Sequence, residues 1–116
     1  MPIIQIQVAP NRGEALMQAH DRLVAAIETI VDETLAPAPG TLQLAISACL
    51  SMPRGRDVLV VVQHRASTQR GPEVRGQFAD RCRALLEREL AASVRVRVIA
   101  INSGDIVASD TPEPDA

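Results

Sequence analysis

The hydrophobic pattern of this chain switches from a period of two to a helical period and back, then does so again. "IIQIQV", Ile3 to Val8, alternates: Ile4, Ile6 and Val8 face one way, and Ile3, Gln5 and Gln7 the other. That period of two predicts a strand. "PNRGE" follows, where Asn11 is a candidate N-cap and Glu14, three residues on, its capping-box partner. Leu16, Ala19, Leu23, Ile27, Ile30 and Val31 then recur at helical spacing up to about Thr34. Pro37 and Pro39 exclude further helix, Gly40 allows a turn, and "LQLAISACL" reads as a second strand.

After the loop "SMPRGRD" the plan repeats. "VLVVVQH", Val58 to His64, is an apolar run suited to burial on both faces. Pro72 in "RGPEV" opens a helix in its first turn, where a missing N–H costs little. Val74, Phe78, Cys82, Leu85 and Leu86 line that helix, and "SVRVRVIAI" closes the unit with Val94, Val96 and Val98 opposite Arg95 and Arg97. "NSGDIVASD" suggests a short hairpin or arm, and the proline-bearing tail, 111–116, is expected to be disordered. Strands joined by a crossover helix run parallel. The expected fold class is therefore α+β: two β-α-β units in one domain over 1–110, about 2–50 and 57–104. They form a four-stranded mixed sheet with two helices on one face. The uncovered, partly apolar face points to a homo-oligomer.

Composition narrows the chemistry. Phe78 is the sole aromatic residue, and all 12 basic side chains are arginines. A lysine Schiff base or lysine general base is thus excluded, and the only amine left for chemistry is the N-terminus. A net charge of −2, with no basic block and no aromatic platform for bases, argues against nucleic-acid binding. No apolar run approaches the roughly 18–20 residues that span a bilayer, and no secretory signal pattern opens the chain. A cytoplasmic protein with no membrane contact is expected. Two distant histidines and two distant cysteines make no metal-ligand set, so no metal and no cofactor are expected. Cys49 and Cys82 read as small buried hydrophobes.

Pro2 follows the initiator methionine, and a small second residue permits Met1 removal. The freed secondary amine would start from an α-amino pKa of roughly 7.7–8.0. Burial and nearby cations would lower it toward the range useful for a general base. Arg12 and Arg70 stand at matching places, between the first strand and the helix of each unit, and Arg65 stands at the exit of the third strand. Guanidinium forks hold carboxylates in a bidentate way, so these arginines are candidates for a small organic acid. His64, beside Arg65, is a candidate hydrogen-bonding group. Arg54, Arg56, Arg75, Arg81, Arg83 and Arg88 read as surface charge.

"MPIIQIQV", Arg12 ten residues after Pro2, and a helix ending in "LAP" resemble the tautomerase superfamily, whose members use an N-terminal proline and are built from β-α-β units. The first unit, about residues 2–48, is similar to 4-oxalocrotonate tautomerases. The second, "VLVVVQHRASTQRGPEVRGQFADRC", resembles the later half of two-unit members such as cis-3-chloroacrylic acid dehalogenases and malonate semialdehyde decarboxylases, with Arg65 and Arg70 matching their paired arginines. The resemblance implies a homotrimer without a cofactor. Pro2 would be the base, Arg65 and Arg70 would act in catalysis, and Arg12, His64 and Arg97 would bind the carboxylate substrate.

Several positions depart from those families. Gln43 stands where short tautomerases carry a second arginine, for which Arg97 is the better match. Thr29 stands where the dehalogenase has a histidine, and "APAPGT" lacks the decarboxylase's aspartate. Keto-enol tautomerisation is therefore the leading expectation. Pro2-dependent dehalogenation, hydration or decarboxylation, with Asp105 or His64 activating water, is one alternative. A non-catalytic ferredoxin-like small-molecule-binding module is another, because it shares the same element order.

Overall fold

A computed structural model describes residues 2–112. Met1 and residues 113–116 fall outside the described residues, so most of the expected disordered tail does too. Four strands form one sheet: β1 (Ile3–Val8), β2 (Gln43–Ala48), β3 (Val58–Arg65) and β4 (Val94–Ile101), in the order β2-β1-β3-β4. β1 pairs parallel with β2, β3 pairs parallel with β4, and the central pair β1–β3 is antiparallel. Each helix, α1 (Gly13–Thr34) and α2 (Pro72–Leu90), joins two neighbouring parallel strands. A split β-α-β arrangement would insert another strand between them. The ferredoxin-like alternative therefore does not describe this sheet.

Both helices cover the same face. Ile4, Ile6, Val8, Val58, Val60 and Val62 point at them and are essentially inaccessible to solvent. The stripe read from the sequence, Leu16 through Val31, is buried in full on α1, and Phe78, Cys82, Leu85 and Leu86 are its counterpart on α2. Burial pushes the Cys82 thiol up to about 12, as suits a packing residue rather than a nucleophile.

Three local expectations are corrected. Asn11 is not an N-cap: Pro10, with its fixed φ, starts a single 3₁₀ turn over Pro10–Arg12, and Arg12 precedes the helix without a side-chain cap. β3 is fully buried on one face only, because no helix packs on the other, where Leu59 and Val61 remain half-buried. After β4 the chain makes a 3₁₀ turn over Ser103–Asp105 rather than a hairpin.

The duplication is visible in the contacts. A second 3₁₀ turn, Thr68–Arg70, precedes α2 as Pro10–Arg12 precedes α1, and each turn ends in an arginine. Arg12 Nε donates to the Ala91 carbonyl just past α2 (3.3 Å), and Arg70 Nε donates to the Leu35 carbonyl just past α1 (2.9 Å). Each arginine thus ties down carbonyls that the other unit's helix leaves unpaired. Ion pairs cross between the helices in the same reciprocal sense, Arg22 with Glu89 (2.7 Å) and Arg81 with Glu33 (3.2 Å).

Candidate active site

The start of β1 and the end of β3 meet at one end of the sheet. Ile3 pairs with Gln63, and the next step of that antiparallel register sets Pro2 opposite His64. Pro2 is buried, and its carbonyl accepts from the Gln43 N–H of β2 (3.0 Å), which fixes the strand start. Continued alternation places both Pro2 and His64 on the helix-facing side.

His64 is 2% exposed. Its Nδ1 lies 2.9 Å from the Arg65 carbonyl. A carbonyl can only accept, so Nδ1 carries the proton and Nε2 presents a lone pair. That Nε2 is buried and has no hydrogen-bond partner among the described residues. Burial, the largest effect, holds the imidazole below its ordinary value; the Arg65 carbonyl opposes this, and the Arg70 and Arg75 cations add to it. The ring is neutral near pH 7.

Arg70 and Arg75 are half-buried beside it. Arg75 Nε donates to the Arg70 carbonyl (3.2 Å), folding back over the first turn of α2. Neither has a carboxylate within ion-pairing distance among the described residues. The structure thus corrects the expectation of Arg75 as surface charge: one helical turn beyond Arg70, it shares the position beside His64.

Across the sheet edge lies a cavity of about 250 Å³, lined by Ile3, Gln63, His64, Arg65, Ile101 and Asp105 among others. Arg65 reaches it from the open face, because alternation turns it away from His64. Arg65, on the open face, and Arg70, beside His64 on the helix side, therefore lie on opposite faces of the sheet rather than forming one clamp.

Two candidate residues lie elsewhere in the single chain. Arg12 is at the far end of β1, about 20 Å away for six residues at roughly 3.3 Å each. It contacts Asp57 there (3.7 Å). Arg97 is exposed in mid-β4, opposite Val61, with its guanidinium on the Val96 carbonyl (3.0 Å). Among the described residues no group of three His, Cys, Asp or Glu side chains is placed to hold a metal, and no helix is long and apolar enough to cross a membrane.

No family model and no curated protein matches the sequence. Solved structures do match its shape. A fused 4-OT, described as a symmetric trimer, superposes with a TM-score of 0.63 at 17% identity, over 86% of this chain and 87% of that one. Leishmania major MIF2 does so with a TM-score of 0.59 at 17% identity, covering 96% of both chains. Pt0534, inactivated by 2-oxo-3-pentynoate, gives 0.68 at 10% identity, covering 92% of both chains. The fold is the tautomerase/MIF-like fold of these solved structures. Within the tautomerase fold, the described chain carries a buried proline at the head of β1 and a neutral, buried histidine opposite it. Two arginines without carboxylate partners stand beside that histidine.

Proposed function

We infer that the protein is a cofactor-free keto-enol tautomerase acting on a small enol or α-keto acid that bears a carboxylate, with Pro2 as general base once Met1 is removed. The observation that carries this reading is a buried Pro2 opposite His64, with two arginines that have no carboxylate partner among the described residues beside that histidine and a small cavity at the same end of the sheet, in a chain with no lysine. Arg70 and Arg75 would hold the carboxylate, and their charge stabilises the enolate that forms as a carbon-bound proton moves to Pro2. The same cations keep the amine short of full protonation. His64 Nε2 is the acceptor for an enol hydroxyl. Arginine charge supplies the electrostatic stabilisation, so proton transfer of this kind needs no metal.

The fold neighbours support the reading in two ways. One is inactivated by 2-oxo-3-pentynoate, an acetylenic α-keto acid, and others are trimers. A homotrimer covering the part of the open sheet face where Ile3, Val61 and Ile99 lie is the assembly we infer here.

Intact mass and ketonisation rates test the mechanism. The natural protein should lack Met1 and ketonise phenylenolpyruvate or 2-hydroxymuconate, and Pro2→Ala should be slower by roughly 10²–10⁴-fold. Active protein that retains Met1, or equal rates in the variant, overturns it. Asp105 in the cavity wall favours one second reading, hydration or dehalogenation with Asp105 holding the water. Halide release from a 3-haloacrylate that outpaces ketonisation would select it.

A further inference from the structure

The end of the sheet remote from Pro2 holds a different concavity. Gln7, Leu59 and Arg95 form one row across β1, β3 and β4 on the open face, by the register Gln7–Leu59 and Leu59–Arg95. The loop between β2 and β3 folds over this row and encloses a cavity of about 270 Å³. Arg54 and Arg56 line it from the loop, Arg95 lines it from the sheet, and Leu59 and Met52 give it an apolar floor. Gly55 sits between the two loop arginines at φ +104°, a conformation open to glycine at little cost. That turn brings both guanidinium-bearing residues to one cavity.

Charge makes the arrangement informative. The chain carries a net −2, yet none of Arg54, Arg56 and Arg95 has an ion-pair partner among the described residues. The neighbouring carboxylate, Asp57, is already held by the Ser93 N–H (3.1 Å) and hydroxyl (3.2 Å) and by Arg12. Three like charges around a common cavity repel one another, and an anion between them turns that repulsion into binding. The space equals about nine water volumes at roughly 30 Å³ each. The floor suits a carbon skeleton rather than a bare ion.

We propose that this cavity is a second ligand site, for a small organic polyanion carrying two or more phosphate or carboxylate groups, separate from the Pro2 site. The guanidinium forks of Arg54 and Arg56 bind the anionic groups, Arg95 fixes their position, and Leu59 and Met52 receive the apolar body.

Titration calorimetry of the full chain at low ionic strength, with inorganic pyrophosphate and citrate as probes, tests this without reference to turnover. At least one probe should bind the natural protein, and pyrophosphate or citrate preference assigns phosphate or carboxylate chemistry. Arg54→Ser with Arg56→Ser should weaken that binding at least tenfold and leave the circular dichroism spectrum unchanged. Arg81→Ser with Arg88→Ser, remote from the cavity, should leave it within twofold. Failure of both probes to bind, equal binding by the first double variant, or an equal loss in the second overturns the proposal.

Discussion

The two ends of the central strand pair β1–β3 are related by the duplication, and they are finished in opposite ways. At one end Arg12 bridges the Ala91 carbonyl and the Asp57 carboxylate, and Ser93 completes the cluster with two donors to Asp57. The Ser93 N–H, more than its hydroxyl or Arg12, holds the Asp57 carboxyl below its ordinary value. Within this cluster the Arg12 and Asp57 charges complement each other. At the other end Arg70 makes the same kind of carbonyl contact with Leu35, but the residue just ahead of the strand is Pro2 where the other unit has Asp57. Among the described residues no carboxylate meets Arg70 or Arg75, and no partner meets the buried His64 Nε2. The Arg12–Asp57–Ser93 cluster is spent on holding the fold together. The unfinished end keeps hydrogen-bonding capacity for something that is not part of the chain.

Truncating the two arginines separates their shared role from their different ones. Arg12→Ala and Arg70→Ala each remove a donor from carbonyls past a helix end, so both should lower the melting temperature. Only Arg70→Ala should also remove a substrate carboxylate contact. Charge-assisted hydrogen bonds are worth about 1.5–3 kcal/mol, so its kcat/KM on an enol acid should fall roughly 10–100-fold, chiefly through KM. Equal losses of kcat/KM in the two variants would erase the functional distinction between the ends.

Much of this contrast was legible in the sequence. The helical stripes, the alternation of β1 and the paired positions of Arg12 and Arg70 are local patterns, and each maps to an element where it was read. What the sequence left open depends on contacts between elements. Arg65 and His64 are adjacent in sequence, yet pleating sends one to the open face and the other into the helix layer. Arg75 is far from β1 in sequence and gains its place through the packing of α2 against α1 and β4. Arg54 and Arg56 look like solvated charge until the loop folds over Leu59 and Arg95. Pro10 displaced the expected Asn11 cap because a 3₁₀ turn came to occupy the cap position.

The orphaned imidazole offers a smaller but sharper test. The far end of β1 places apolar Val8 on the same helix-facing side, with no polar atom to satisfy. His64→Leu should therefore raise stability by about 1 kcal/mol, since removing a buried unpaired polar atom relieves its desolvation cost. The pH dependence carries a sign. The folded pKa of His64 lies below the ordinary 6.5, so below about pH 6.5 the unfolded chain binds the proton more readily. This contribution is present in full above that pH and is lost as pH falls toward the folded pKa. Denaturant melts at pH 7.5 and 5.5 should show the natural protein losing more stability than His64→Leu over that interval. A parallel decline would mean that Nε2 is satisfied in solution.

The smallest expected effect concerns a feature that the two ends share. Ala36 and Ala91, each just past a helix, have φ of +45° and +47°, in the left-handed region. For Ala36 the reward is a hydrogen bond from its N–H to the Val31 carbonyl (2.9 Å), which closes α1. An L-residue loses roughly 1–2 kcal/mol in this conformation, and glycine avoids that at the cost of a more flexible unfolded chain. Ala36→Gly and Ala91→Gly should each raise stability by about 0.5–1 kcal/mol in urea melts, and the double variant should show their sum within a few tenths. Both sites lie at helix ends held by an equivalent arginine, so the gains should match. A gain at Ala91 alone would show that the Pro2 end relieves its strain in solution, and with it the rigidity on which a base at Pro2 depends.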